Sequence, residues 1–261
     1  MSETIVRGFG GCDGIPETAF GEAYDFFWEP ENGEPGLGKS HYITVQGYAD
    51  IPAAGQNYSS TGIPMRDGEL VESKSYRSNI EITCNIAIDL SNERELSIRK
   101  VMRDLKVWLT GKGRLSFTDN AEAFYEVLKT QVSGLTQEMP YFGTATVIFL
   151  ARPSEYIREG LARHAASKVI FNPYCRCHPV YEIYGEGVCE LVVNGVVVTA
   201  NVGQNLCIDT DRQLSYRTDG TSMNTAVKCD YTKLWLDHGK VAITATEGFE
   251  VYVIPRWEVP A

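Results

Sequence analysis

Ile80-Glu81-Ile82-Thr83-Cys84-Asn85-Ile86-Ala87-Ile88 is the stretch on which the reading of the fold turns. Apolar side chains fill every even position, and mostly polar ones fill the odd positions. Successive side chains of a strand point to opposite faces, so a period of two describes a strand with one face on a core and the other toward water. Downstream the period changes. From Glu93 to Leu109 the residues Ile98, Met102, Leu105 and Leu109, with Val101 and Trp108 beside them, make one apolar stripe at helical spacing. Asn92 and Glu95 have the spacing of a capping box at its start, and Gly111 or Gly113 stops it.

Working outward, strands are predicted at Arg114–Phe117, Ala123–Val132 and Thr144–Ala151, the first two joined by the turn Thr118-Asp119-Asn120. Ala123–Lys129 also suits a helix on propensity alone, but the residues on either side favour a hairpin. Upstream, His41–Val45 reads as a strand, while Gly33–Ser40, Gly55–Ser60 and Pro64–Leu70 read as loops suited to contacts in an assembly. Asp67-Gly68 marks a tight turn there. The first forty residues are irregular and glycine-rich. One helix among antiparallel strands makes residues 1–155 a β-barrel or split-sheet domain with a single packed helix. Arg152-Pro153-Ser154 is its expected end, and Arg158–Ser167 has little character of its own.

From Lys168 onward short strands alternate with tight turns. The predicted strands are Lys168–Phe171, Val180–Tyr184, Val188–Val193, Val196–Thr199, Asn205–Ile208, Gln213–Arg217, Tyr231–Trp235, Val241–Ala245 and Phe249–Pro255. Asn194-Gly195 supplies the positive φ values of a two-residue hairpin turn, and Asp237-His238-Gly239-Lys240 is read in the same part. Many strands and no helix over 156–261 describe a β-sandwich. The residues after Val253 either close that sandwich or return to the first domain.

Charge and cysteine usage narrow the function. A net charge of −10, with most of the acid excess in the first 160 residues, disfavours binding nucleic acid by neutralising phosphates. The start of the chain has no basic segment leading into an apolar run, and no stretch is long and apolar enough for a membrane span. Seven scattered cysteines, several inside strand-like runs, read as reduced buried thiols made in a cytosol.

Chemistry-bearing motifs are sparse. Cys175-Arg176-Cys177-His178 has ligand-type residues, but one residue between two cysteines points them apart on a strand, and a zinc site needs further ligands such as His164, His238, Cys189 or Cys229. Asp209 and Asp211 lack the spacing of a calcium loop and suit a strand-to-turn cap. No nucleotide-binding, nucleophile-elbow or zinc-protease motif occurs, and Gly8-Phe9-Gly10-Gly11-Cys12 follows no strand that would make it a phosphate cradle. Trp235, Tyr231, Tyr216 and Tyr252 are aromatics that could stack on sugars, although their spacing suits a core. Catalytic residues, metal and cofactor are therefore all expected to be absent.

Several segments, taken in order, resemble the distal tail protein (Dit) family of siphophages. They begin with Pro64-Met65-Arg66-Asp67-Gly68-Glu69-Leu70, the strand Ile80–Ile88 and the helix end Leu105-Lys106-Val107-Trp108-Leu109. Gly111–Asp119, Phe124-Tyr125 and Phe149–Tyr156 follow, then Asn172-Pro173, Pro179–Gly185, Leu191–Gly195 and Leu206–Asp209. Ile254-Pro255-Arg256-Trp257 is similar to the family's closing Pro-Arg-Trp. Pro173 departs from the Gly usual after Asn, and Arg152-Pro153-Ser154 replaces a Cys-Pro-Phe-like triplet.

The resemblance implies a structural baseplate-hub protein of the virion, made in the bacterial host cytoplasm and placed at the distal end of the tail. It implies homohexameric rings whose first domains form a channel continuing the tail tube, with galectin-like second domains outside. The implied partners are other copies of the chain, the tail tube protein, a tail-associated hub protein, receptor-binding or baseplate proteins, and DNA only in passage. Arg66, Asp67, Gly68, Trp108, Asp119, Pro255, Arg256 and Trp257 would define the fold or its interfaces, with Asn194 and Gly195 setting a turn. A carbohydrate-binding adhesin of the tail tip is the alternative, and a β-rich metalloenzyme built on Cys175, Cys177 and His178 the third reading.

Overall fold

The computed structural model describes residues 24–93, 95–166 and 170–261. The glycine-rich run at Gly8–Cys12 and the first residues of the strand predicted at Lys168–Phe171 lie outside them. The described residues fall into two units: one runs to Glu155 and takes back Pro260–Ala261, the other is Tyr156–Val259.

The first unit begins with strands β1 (Phe26–Pro30), β2 (Gly36–Leu37), β3 (Ile43–Val45), β4 (Gln56–Gly62), β5 (Glu69–Arg77) and β6 (Ile80–Asp89). Helix α1 (Ile98–Trp108) follows, then β7 (Gly113–Phe117), β8 (Asn120–Val132), β9 (Thr136–Met139) and β10 (Phe142–Ile157). The main sheet runs in the order β2-β1-β7-β8-β10-β6-β3, and β9 also pairs with β10. Its two ends do not bond to each other, so the sheet is a curled, open half-barrel where the sequence suggested a barrel or a split sheet.

Physical alternation does in β6 what the sequence pattern dictates. Ile80, Ile82, Cys84, Ile86 and Ile88 are all buried, while Glu81 and Asn85 face water. Against them pack Phe26, Trp28, Val147, Phe149 and the helix residues Ile98, Val101, Met102, Leu105 and Leu109. Each large side chain so buried contributes about 1.5–3 kcal/mol of transfer free energy.

The helix starts later than the capping-box spacing suggested. Ser97 is its N-cap residue, without a side-chain cap bond, and the predicted box at Asn92 and Glu95 lies in the preceding turns, where the Glu93 and Leu96 amides donate to the carbonyls of Leu90 and Glu93. Turn bonds of that kind compete locally with a helical first turn. The strand predicted at Thr144–Ala151 is longer than expected. It runs straight through Arg152-Pro153-Ser154 to Ile157, so that triplet does not end an element.

In the second unit the strands are β11 (His164–Ala165), β12 (Ile170–Asn172), β13 (Val180–Val193), β14 (Val196–Asp209) and β15 (Leu214–Tyr216). They continue with β16 (Val227–Lys228), β17 (Gly239–Val241), β18 (Ile243–Ala245) and β19 (Glu250–Ile254). One sheet runs β11-β19-β13-β14-β15, with β16 on β14 and β18 on β13; β12 and β17 form a separate ladder.

The four short strands predicted between Val180 and Ile208 are two long ones. β13 and β14 pair without a register shift from Val180↔Asp209 to Val193↔Val196. Gly185-Glu186-Gly187 separates two of the predicted strands, but Gly185 (φ 149°) and Gly187 (φ 106°) carry an irregular stretch of strand opposite Gln204 (φ 71°). Glycine reaches such φ values without a Cβ penalty, so the ladder passes through. Asn194 (φ 48°) and Gly195 (φ 86°) close the hairpin as predicted.

Two further expectations fail. Tyr231–Trp235 is not a strand: Tyr231–Leu234 is a 3-10 turn, capped by the Asp230 carboxylate accepting the Thr232 amide. Asp237–Lys240 turns at Gly239 (φ 111°) but closes no hairpin, since β17 leaves it to pair with β12.

Candidate functional site

The β4–β5 hairpin of the first unit faces solvent along its length. It spans the residues predicted as loops at Gly55–Ser60 and Pro64–Leu70 and forms a two-stranded sheet by itself. Polar residues with little alternation hid it from a pattern search. Tyr58 is 67% exposed, Val71 60%, Tyr76 57% and Leu70 56%. An isolated two-stranded ribbon is marginal in water, and exposed apolar side chains on free strand edges mark an interaction surface. Arg66, Asp67 and Gly68 lie at its tip, all exposed, where Met65 (φ 64°) and Gly68 (φ 84°) reverse the chain. They serve the turn and touch no core.

Trp108 sits at the helix end, half-buried. Its ring stacks on His41 with centroids 3.8 Å apart, its Nε1 donates to the Glu34 carbonyl, and its own carbonyl accepts from Trp28 Nε1. Burial lowers the His41 pKa, which keeps the stacked ring neutral near pH 7. Asp119 stands exposed in the β7–β8 turn.

Sequence reasoning overlooked the carboxylate that organises this corner, Asp25. It is buried, its Oδ1 accepts from the Phe26 amide and its Oδ2 from the Lys39 amide, and its own N–H donates to Thr118 Oγ1. Gly38 lies so close that a Cβ there would come within 2.4 Å of Asp25 Oδ1. Burial pushes the Asp25 pKa up despite these donors. A single acid before an aromatic run carries no local signal of such a role.

In the second unit the predicted closing segment is a lock. Pro255 and Trp257 are buried, and Arg256, in the left-handed region at φ 54°, turns its guanidinium onto Asp209. Asp209 is fully buried and also accepts the amides of Asp211 and Arg212. The pair Asp209 and Asp211 is thus a strand-end cap joined to an ion pair. Arg256 donates its amide to the Gly160 carbonyl, and a Cβ on Gly160 would meet the Trp257 nitrogen at 2.2 Å. Asn194 adds a bond from the Ala242 amide to its side-chain oxygen.

Cys175, Cys177 and His178 do not converge. Cys175 is exposed, Cys177 is buried with its thiol against the Leu236 carbonyl, and His178 Nδ1 is bonded to Glu258. Arg176 is held by Asp237 at 2.6 Å. Among the described residues no three His, Cys, Asp or Glu side chains are grouped as a metal ion would require.

Three of the four aromatics considered for sugar stacking have side-chain partners. Arg163 lies 3.6 Å over the Tyr252 ring, Trp235 packs edge-on against His178, and the Tyr231 hydroxyl bonds Ser215. Tyr216 belongs to β15, paired with Cys207 of β14.

No protein-family model and no curated protein sequence matches the chain. Among solved structures it superposes on that of SPP1 Dit with a TM-score of 0.62, covering 89% of this chain and 98% of the other at 13% identity. The chain has the fold of SPP1 Dit. That protein is described as a paradigm of the hub adsorption apparatus in phages infecting Gram-positive bacteria. At this identity the shared property is the fold.

Proposed function

We propose that this chain is a structural component of a phage or prophage tail tip, a Dit-like hub and not an enzyme. The observation that carries the reading is the extent of the structural match, which takes in nearly the whole of SPP1 Dit and most of this chain, so both units take part. In this reading residues 1–155 form a homohexameric ring around a channel continuing the tail tube, and residues 156–261 form a galectin-like sandwich. Arg66, Asp67, Gly68 and Asp119 serve interfaces, while Trp108, Asn194, Gly195, Pro255, Arg256 and Trp257 hold the units that present them.

The exposed β4–β5 hairpin is the natural contact element. A closed ring needs two different faces on each copy, and a ribbon with free edges and the exposed Tyr58, Leu70, Val71 and Tyr76 supplies one. The net charge of −10 suits a channel through which DNA slides, since carboxylates repel phosphates. The partners in this reading are further copies of the chain, the tail tube protein, the tail-associated hub protein and receptor-binding or baseplate proteins, in the virion at the distal end of the tail.

Light scattering with negative-stain imaging of the purified protein tests it. A ring with an open centre and six times the 29.0 kDa chain mass is the expected result. A monomer that also binds a glycan through its second unit would favour the adhesin reading instead.

A further inference from the structure

We propose that Asn32 is a site of spontaneous covalent modification: its side-chain amide closes on the Gly33 nitrogen and hydrolyses to aspartate or isoaspartate, while the fold shields the other Asn-Gly pair, Asn194-Gly195. The site is independent of any role in a tail. Asn-Gly stands at 32–33 and at 194–195 in the sequence. Glycine has no Cβ, so its amide nitrogen approaches the preceding side chain without hindrance. The Gly33 nitrogen gives its proton to solvent base and bonds to Asn32 Cγ; the Cγ–Nδ2 bond breaks and ammonia leaves. Water then opens the ring at either carbonyl. One product is aspartate. The other, isoaspartate, carries the backbone through the side chain and lengthens it by a methylene.

The structure treats the two pairs differently. Asn32 lies in the loop between β1 and β2, exposed like Glu31, Gly33, Glu34 and Pro35. Neither its side chain nor the Gly33 amide has a hydrogen-bond partner among the described residues, so no such bond opposes the rotation that brings this amide against Cγ. Asn194 is exposed as well, so exposure does not separate them. Its amide donates to the Ala242 carbonyl at 2.9 Å, and its Oδ1 accepts the Ala242 amide at 2.9 Å. Val193 and Val196 pair on either side of the turn, which holds Asn194 at φ 48°. Turning Asn194 Cγ onto the Gly195 nitrogen requires these bonds and the hairpin end to open. A reaction that proceeds only from an opened state is slowed by the rarity of that state.

Conversion at Asn32 is felt at Trp108. Glu34, two residues on, accepts the Trp108 Nε1 proton on its carbonyl at 3.1 Å, and Trp108 stacks on His41. An isoaspartyl link lengthens the connection from β1 to β2 and shifts that carbonyl. Either product also adds a carboxylate between Glu31 and Glu34.

The full wild-type chain is aged in warm, mildly alkaline buffer with and without urea, and peptide mass mapping follows each Asn-Gly pair by the mass gain of amide to acid. In the folded chain Asn32 is expected to convert roughly tenfold or more faster than Asn194, the protection that a turn closed by two hydrogen bonds confers. In urea the difference is expected to collapse. Equal rates in the folded chain, a faster Asn194 or an unconverted Asn32 overturns the assignment. So does a difference that survives in urea, because the neighbouring residues and not the fold would then set it. The aged wild-type chain is expected to melt about 2–4 °C below the fresh one, the scale of one lost hydrogen bond in a chain of this length. Asn32→Ser, exposed and unable to form the ring, is expected to keep its midpoint when aged alike. A converted chain whose midpoint has not moved overturns the link to Trp108.

Discussion

Arg256 grips Asp209 with both ends of its guanidinium: Nη1 and Nη2 each lie 3.2 Å from a carboxylate oxygen of a side chain that is 0% exposed. A charge that deep is tolerated because four donors meet it, two from the arginine and two from the backbone of Asp211 and Arg212. Arg256→Ala removes the counter-ion and strands the carboxylate. Urea unfolding of the full chain should show a loss of about 3 kcal/mol, within the range for breaking a buried pair. A loss below about 1 kcal/mol would mean that the backbone donors suffice.

Gly160 tests the same lock from the other side. Gly160→Ala places a methyl 2.2 Å from the Trp257 backbone nitrogen, and that backbone must move. The expected cost is about 3 kcal/mol, the upper part of the overpacking range. Gly134→Ala, at an open position, is the control and should change stability by less than about 1 kcal/mol in either direction.

Asp25 makes stability depend on pH in a direction opposite to that of a paired carboxylate. Burial raises its folded pKa above the ordinary 3.8. The folded state therefore binds the proton more tightly, so the stabilisation is complete below the unfolded value and is lost as pH rises through the folded one. Asp25→Asn cannot titrate. Wild type should gain stability relative to this variant as pH falls from neutral toward 4, measured by urea midpoints at several pH values; a constant difference would remove Asp25 from the pH response.

Thiol reactivity should follow burial. Cys175 is exposed, while burial pushes Cys84 up to about 12 and Cys177 well above the usual thiol range. Thiolates react, so a maleimide at pH 7 should modify Cys175 in the folded chain and reach Cys84 and Cys177 only after denaturation. Peptide mass mapping before and after urea reads this directly. Early modification of Cys177 would show that the Leu236 contact opens.

Replacing Gln56–Arg77 by a short Gly-Ser linker removes the hairpin and little of the core. Its strands pair with each other and, among the described residues, with no strand of the main sheet. The thermal midpoint should fall by no more than about 4 °C, and the ring should be lost. Rings that persist in images of this variant would move the contact elsewhere.

Local pattern carried as far as local pattern reaches. Ile80–Ile88 declares which face of β6 is buried because a strand alternates by geometry, and Ile98, Met102 and Leu105 declare the inner side of α1 for the same reason. Asn194-Gly195 declares its turn because few residues accept those φ values. By itself, then, the sequence determined that the chain is strand-rich, has one packed helix and carries a tight hairpin in its second half. Tertiary structure alone decided that Gly185-Glu186-Gly187 lies within a strand, that β4 and β5 form a free ribbon, and that Asp25, Asp209 and Glu258 are the acids buried among the described residues. The physical reason is range. Propensity and period act over a few residues, whereas Arg256 finds Asp209 across 47 positions, and such a pairing exists only once the strands between them have closed their loops and excluded water.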